Sequence, residues 1–81
     1  MSQEHVCSIR RAGILADGRA QLDLKADDGA FDWNWFVSSP DIAREMLAIA
    51  LTALTNGMHV DGVFTEPIGD HSTVETIFLV T

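Results

Sequence analysis

The sequence predicts a small α+β domain, in which five β-strands form a barrel-like antiparallel sheet and a single helix precedes the fourth strand. The run before Asp17-Gly18, a strong hairpin signal, is rich in Val and Ile, and the run after it alternates between apolar and polar residues, which is typical of a half-buried strand. One apolar run is long enough for a helix, and turn-forming residues separate it from the strands. A chain of 81 residues has room for one core, so a single domain spans residues 1–81.

Three strands are predicted ahead of the helix. The first covers residues 5–16, and the second covers residues 19–26 with small and branched apolar residues on one face. After the turn at Asp27-Asp28-Gly29, the third strand covers residues 31–37. The residues that share one face of this third strand are Phe31, Trp33, Trp35 and Val37.

The helix is predicted to begin near Ser39, which can cap it, with Pro40 in the first helical position and Asp41 at the positive end of the dipole. It ends at Asn56-Gly57, because glycine readily adopts the left-handed conformation that terminates helices. Two further strands, residues 58–65 and 73–81, complete the chain.

The helix is apolar over more than one stripe, whereas a surface helix normally carries a polar face. Either its own sheet cradles it deeply, or a second face packs on neighbouring subunits. We favour the second interpretation, because one sheet covers one side of a helix and a small domain often gains stability by oligomerisation. The residues predicted to lie at this interface are Met46, Ile49, Ala50, Leu51 and Ala53.

Charge and hydropathy limit the partners. The formal net charge is −7 and no Lys/Arg cluster is present, which argues against nucleic acid and anionic membranes. The longest apolar stretch, Met46 to Leu51, is too short to insert across a bilayer. The polar residues Met1 to His5 do not resemble a signal peptide, so we expect a cytoplasmic protein, or a secreted one if a leader was removed.

The sequence offers weak support for catalysis, metals or disulfides. Asp70-His71-Ser72 has the residue types of a hydrolase triad, but adjacent residues rarely adopt triad geometry, so we predict no enzyme activity. Cys7 is the only cysteine, and a buried thiol is favoured over a bridged dimer. No metal or other cofactor is predicted. The residues weighed as metal ligands are His5, His59, Asp61, Glu66, Asp70 and His71, whose spacing matches no common site.

The segment from Asp32 to Phe36 is the best candidate for ligand binding. Aromatic rings stack on sugars, and the side chains of Asp32 and Asn34 can bond hydroxyl groups beside Trp33. The favoured alternative is that both tryptophans belong to the core, with Phe36 exposed or at an interface. The predicted ligand-binding residues are Asp32, Trp33, Asn34 and Phe36. Arginines 10, 11 and 19 could bind an acidic group, although balancing Asp17 and Asp23 is the favoured interpretation.

The element order, three strands, a helix and two strands, resembles the oligonucleotide/oligosaccharide-binding (OB) fold. Residues 33–60 are similar to the receptor-binding B subunits of bacterial AB-type toxins, with a Trp before a Leu- and Ala-rich helix and then Thr55-Asn56-Gly57-Met58-His59-Val60. This resemblance implies a pentamer with central helices and a glycan ligand. That family is secreted and usually disulfide-bonded, whereas this chain has one cysteine and no visible leader.

The sequence therefore predicts a non-catalytic, self-associating binding module, with a glycan as the ligand that the resemblance implies. The alternative is an intracellular accessory or structural protein that uses the same surfaces for protein contacts.

Overall fold

Five strands and one helix follow one another in the predicted order in the computed structural model, which describes residues 2–80. The elements are β1 (Ser2–Ile14), β2 (Ala20–Ala26), β3 (Asn34–Val37), a 3₁₀ turn (Pro40–Ile42), α1 (Ala43–Asn56), β4 (His59–Thr65) and β5 (Ser72–Val80). The predicted end of the last strand, Thr81, lies outside the described residues, as does Met1.

The five strands form a closed sheet in the order β1-β2-β3-β5-β4. The prediction of a wholly antiparallel sheet is wrong at one seam, because β3 and β5 pair in parallel through Phe36↔Ser72 and Val37↔Thr73. The segment that joins them contains α1 and β4, and such a long crossover permits parallel pairing. Strand β1 serves two neighbours, since its first half pairs with β4 and its second half with β2.

The helix ends as predicted and begins differently. Gly57 has a φ of 65°, and the N–H of Met58 donates to the carbonyl of Ala53 at 2.9 Å, which closes the last turn. At the other end Ser39 makes no side-chain capping bond, and the chain enters α1 through the 3₁₀ turn. The neighbouring Ser38 is buried instead, where its hydroxyl accepts a bond from the N–H of Ala20 at 2.9 Å.

The core centres on three phenylalanines that the closed sheet surrounds. The ring centroids of Phe36 and Phe64 are 4.6 Å apart, and Phe31 lies 5.0 Å from Phe36 and 5.4 Å from Phe64. The Phe64 ring lies over Gly62, where an added Cβ would be 2.6 Å from the ring. Glycine is therefore required at position 62 for this ring to pack inward.

The helix is cradled by its own sheet, and this corrects most of the predicted interface. Met46, Ala50 and Ala53 are buried against the core of the same chain, so they are not available to a neighbouring subunit. The closed sheet contacts α1 through four strands and covers more of it than a flat sheet could. Ile49 is half-buried against the core, whereas Leu51 is 48% exposed.

The faces of β3 are the reverse of the favoured prediction. Phe36 is fully buried in the core, while Trp33 and Trp35 are half-buried outside it. The strand begins at Asn34, so the alternation could not be counted from Phe31. A shift of one residue exchanges the two faces of a strand. Phe36 therefore points into the core, on the face opposite to the one that was predicted.

Cys7 is buried as predicted, and burial raises the pKa of its thiol to about 12. The thiol is therefore protonated at neutral pH, and thiolate chemistry requires the local structure to open. Among the described residues, no helix is both long and apolar enough to cross a membrane.

Candidate functional site

Five side chains form a polar and aromatic cluster on the outer surface of β1, β2, β3 and the segment just before β3, which we call the Arg–Trp face. Its members are Arg10, Arg11, Asp23, Trp33 and Trp35. Cross-strand pairing puts Arg11, Asp23 and Trp35 in one row. The register of β1 shifts between Ile9 and Arg11, so two residues oppose one on β2. This bulge explains how consecutive arginines reach the same carboxylate.

Asp23 is the centre of the Arg–Trp face. Its Oδ2 atom accepts bonds from Nε of Arg10 at 2.7 Å and from Nε of Arg11 at 2.9 Å, while Nη2 of Arg11 lies 2.8 Å away. The Asp23 side chain is only 2% exposed, whereas those of Arg10 and Arg11 are 48% and 57% exposed. A carboxylate so far removed from water needs charged partners, and the two arginines supply them.

Each guanidinium also covers a tryptophan ring. The Cζ atom of Arg10 is 4.5 Å from the Trp33 centroid, and that of Arg11 is 4.5 Å from the Trp35 centroid. Both distances are within the range of cation–π attraction. The arrangement holds long, flexible side chains in place and leaves the cluster with one net positive charge in a chain whose net charge is −7.

The Arg–Trp face has unused hydrogen-bond donors. A guanidinium carries five N–H donors, and the contacts within residues 2–80 use one on Arg10 and two on Arg11. Planar donors beside aromatic surfaces suit a ligand that combines an acidic group with an apolar ring face.

The predicted ligand-binding residues separate into two groups. Asp32 is exposed and accepts a bond from the backbone N–H of Trp33 at 2.8 Å. Asn34 is half-buried, and its amide donates to the carbonyl of Gly69 at 2.7 Å, which ties β3 to the loop before β5. Asp32 and Asn34 are chain neighbours of the tryptophans, but pairing puts Asn34 opposite Leu24 on the other side of β3 from Trp35, and Phe36 points into the core. The prediction of Phe36 as a ligand-binding residue is therefore wrong.

The sequence prediction weighed Arg10 and Arg11 separately as residues that could bind an acidic group, and it did not join them or Asp23 to the aromatic segment. The predicted ion pairs are nevertheless confirmed, since Asp23 receives both arginines and Nε of Arg19 lies 2.8 Å from Oδ2 of Asp17. The signal in the sequence is an acidic residue on the polar face of β2 with two consecutive arginines on β1. This pattern indicates a shared ion pair only once the strand register and the position of the bulge are known.

The loop residues Asp70, His71 and Ser72 form local contacts. Nδ1 of His71 lies 3.2 Å from Asp70, while the Ser72 hydroxyl accepts from the N–H of Gly69 at 2.7 Å and donates to the carbonyl of Pro67 at 3.2 Å. The hydroxyl therefore holds the loop together. Within residues 2–80, no group of three His, Cys, Asp or Glu side chains is arranged to hold a metal ion.

An acidic groove of about 590 Å³ lies on another part of the surface, where β1 and β4 meet the turn after β2. Nδ1 of His5 is 2.9 Å from Asp28, and Nδ1 of His59 is 2.6 Å from Asp27. The pKa of Asp28 lies below its usual value, because the backbone N–H of Ala30 and then His5 donate to its carboxylate. Stability from this group is present above its usual pKa and is lost as the pH falls through the lowered value.

Glu4 shows the opposite behaviour. Asp61 raises the pKa of Glu4, first because the two carboxyls share a hydrogen bond when Glu4 is protonated and then because their charges repel. A carboxyl with a raised pKa adds stability below its usual value, and that stability is lost as the pH rises through the folded value. Once Glu4 is ionised, the pair brings two carboxylates together unfavourably.

Comparisons with known proteins give no match: no protein-family model, curated protein or solved structure is significantly similar to this chain.

Proposed function

We propose that the chain is a non-catalytic binding module with OB-like architecture, and that the Arg–Trp face binds an acidic sugar. The observation that carries the proposal is the set of two arginines stacked on two tryptophans around one buried carboxylate. Sialic acid and the uronic acids combine a carboxylate with the ring face and hydroxyl groups that such a surface can bind.

The position of the face supports the proposal. In OB folds, ligands bind over strands 2 and 3 and the loops beside them. Here Asp23 lies on β2 and Trp35 on β3, and Asn34 connects β3 to the loop before β5. The strand order of the closed sheet and the single helix between β3 and β4 support the OB-like assignment. The resemblance of residues 33–60 to toxin B subunits favours a sugar over an oligonucleotide, and the net charge of −7 does so as well.

Tryptophan fluorescence tests the proposal directly, because Trp33 and Trp35 are the only tryptophans in the chain. Titration with sialyllactose should give a saturable change in emission, whereas lactose, which lacks the acidic group, should give none. Arg11→Gln should weaken sialyllactose binding about tenfold, since an arginine–carboxylate bond is lost.

Arg19→Gln is the matched control, because Arg19 pairs with Asp17 away from the Arg–Trp face. It should leave the titration unchanged. Equal responses to lactose and sialyllactose, or no saturable response to sialic or uronic acid sugars, would contradict the proposal. The second result would favour the alternative function, an accessory protein that makes protein contacts.

Self-association remains part of the proposal, with Leu51 kept from the predicted interface and with Ile14 and Leu47 added to it. Leu51 and Ile14 are 48% and 55% exposed, and together with half-buried Leu47 they line a groove of about 470 Å³ between α1 and the first hairpin. An apolar groove beside a helix can bury surface in an assembly, for which the toxin resemblance suggests five copies.

Native mass spectrometry tests this interface. Leu51→Glu should convert the assembly to monomers, because association would bury an unpaired charge. The matched control is Thr55→Glu, which adds the same charge to an exposed position one turn further along the helix. A wild-type monomer, or an assembly that Leu51→Glu leaves intact, would contradict this interface.

A further inference from the structure

The outer surface of β1, β4 and β5 exposes apolar side chains around an acidic centre, and we call it the Phe78 face. Cross-strand pairing puts Val6, Asp61 and Phe78 in one row, and Val80 lies beside His59 in the next. Phe78 is 57% exposed, Val6 42% and Val80 37%. These are three of the large exposed apolar side chains of residues 2–80, and they share one surface with Asp61 between them.

The charge around this apolar surface is negative. The side chains that line the adjoining groove are Glu4, His5, Val6, Asp27, Asp28 and Asp61. Within residues 2–80 the ion-pair partners of Asp27 and Asp28 are histidines, and neither Glu4 nor Asp61 forms an ion pair with lysine or arginine. Lys25 lies on β2 opposite Ser8, and it also makes no ion pair with these carboxylates.

Asp61 is under-bonded in the free protein. Its Oδ1 atom is buried and accepts no hydrogen bond from any residue in the described part of the chain. Buried acceptors are nearly always bonded, and an exception requires an explanation. Its neighbour Glu4 cannot supply a donor once it is ionised, and the raised pKa of Glu4 reflects that conflict.

We propose that the Phe78 face is a docking surface for a basic segment of a partner protein, with an apolar side chain against Phe78 and an ammonium or guanidinium group at Asp61. A cation there would bond the carboxylates and remove the repulsion between Glu4 and Asp61. Arginine could also stack on the exposed Phe78 ring. A small cation would satisfy the acidic groups but would leave Val6, Phe78 and Val80 in water, so the combined surface favours a polypeptide.

The test uses the full chain and a blocked heptapeptide of alternating leucine and lysine, with a leucine–glutamine heptapeptide as the neutral probe. Isothermal titration calorimetry at about 0.15 M salt limits long-range attraction. The lysine peptide should bind and the glutamine peptide should not. Asp61→Asn and Phe78→Thr should each weaken binding about tenfold, through the lost charge and the lost apolar contact.

A matched control separates docking from general attraction to an acidic protein. Asp41→Asn removes one exposed charge at the start of the helix region. It should change the affinity less than about twofold. Amide chemical shifts in β4, β5 and the first half of β1 should move on binding, and those of the turn at Asp17-Gly18 should not.

Other results would overturn the inference. If Asp41→Asn weakens binding as much as Asp61→Asn, the attraction is non-specific. If spermidine binds as tightly as the lysine peptide and Phe78→Thr has no effect, the surface is a site for small cations. If the chain alone forms an assembly that Phe78→Thr dissociates, the occupant is a second copy.

Discussion

Phe36→Ala should lower the free energy of unfolding by about 4 kcal/mol, whereas Trp33→Ala should lower it by about 1 kcal/mol. Phe36 is fully buried and contacts the rings of Phe31 and Phe64. Truncation would leave a cavity that the closed sheet cannot fill. Trp33 is half-buried on the outside, so its truncation removes one cation–π contact and part of an apolar surface. Urea unfolding followed by circular dichroism measures both changes.

The difference between these variants tests the assignment of the two faces of β3. Because a loss of this size is comparable to the total stability of a small domain, Phe36→Ala could fail to fold. Phe36→Leu then provides the measurement, with an expected loss of about 1–2 kcal/mol. If Trp33→Ala proves more destabilising than Phe36→Leu, Trp33 faces the core and the face assignment is wrong.

Asp23→Asn should lower the free energy of unfolding by about 2 kcal/mol, because it leaves two arginines and their stacked rings without a buried counter-charge. The loss is smaller than for a fully buried pair, since both guanidinium groups are partly in water and can be solvated there. Thermal and urea unfolding at neutral pH measure this loss. The fluorescence emission of both tryptophans should also shift to longer wavelength, because the Arg–Trp face becomes less ordered and more exposed to water.

Asp17→Asn is the control for Asp23→Asn. Asp17 pairs with Arg19 in an exposed turn, so its loss should have a far smaller effect on unfolding. Comparable losses in the two variants would mean that Asp23 acts as one more surface charge, and the Arg–Trp face would then lack a rigid centre.

The element order was predictable because each element carries a local signal. Asp17-Gly18 marks the first hairpin, and Asn56-Gly57 marks the end of the helix. The parallel pairing of β3 with β5 was not predictable, because it joins segments that are distant in the chain. The burial of Met46, Ala50 and Ala53 also depends on closure of the sheet, which a helical stripe does not report.

The Arg–Trp face was predictable only in part. An aromatic cluster near Trp33 stood out, but its orientation depended on where β3 begins, and the pattern from Phe31 suggested the opposite face. The outward orientation of the two tryptophans follows from the start of the strand at Asn34 and from the arginines that stack on their rings. The β-bulge that directs Arg10 and Arg11 to one carboxylate has no signature in the sequence.

The double role of β1 has a consequence for synthesis on the ribosome. The second half of β1 can pair with β2 as soon as the first hairpin emerges. The first half pairs with His59–Thr65, so its backbone groups have no strand partner until β2, β3, α1 and β4 have been synthesised. During that interval one edge of the nascent chain is open, and its exposed N–H and C=O groups are where off-pathway strand pairing between nascent chains would begin.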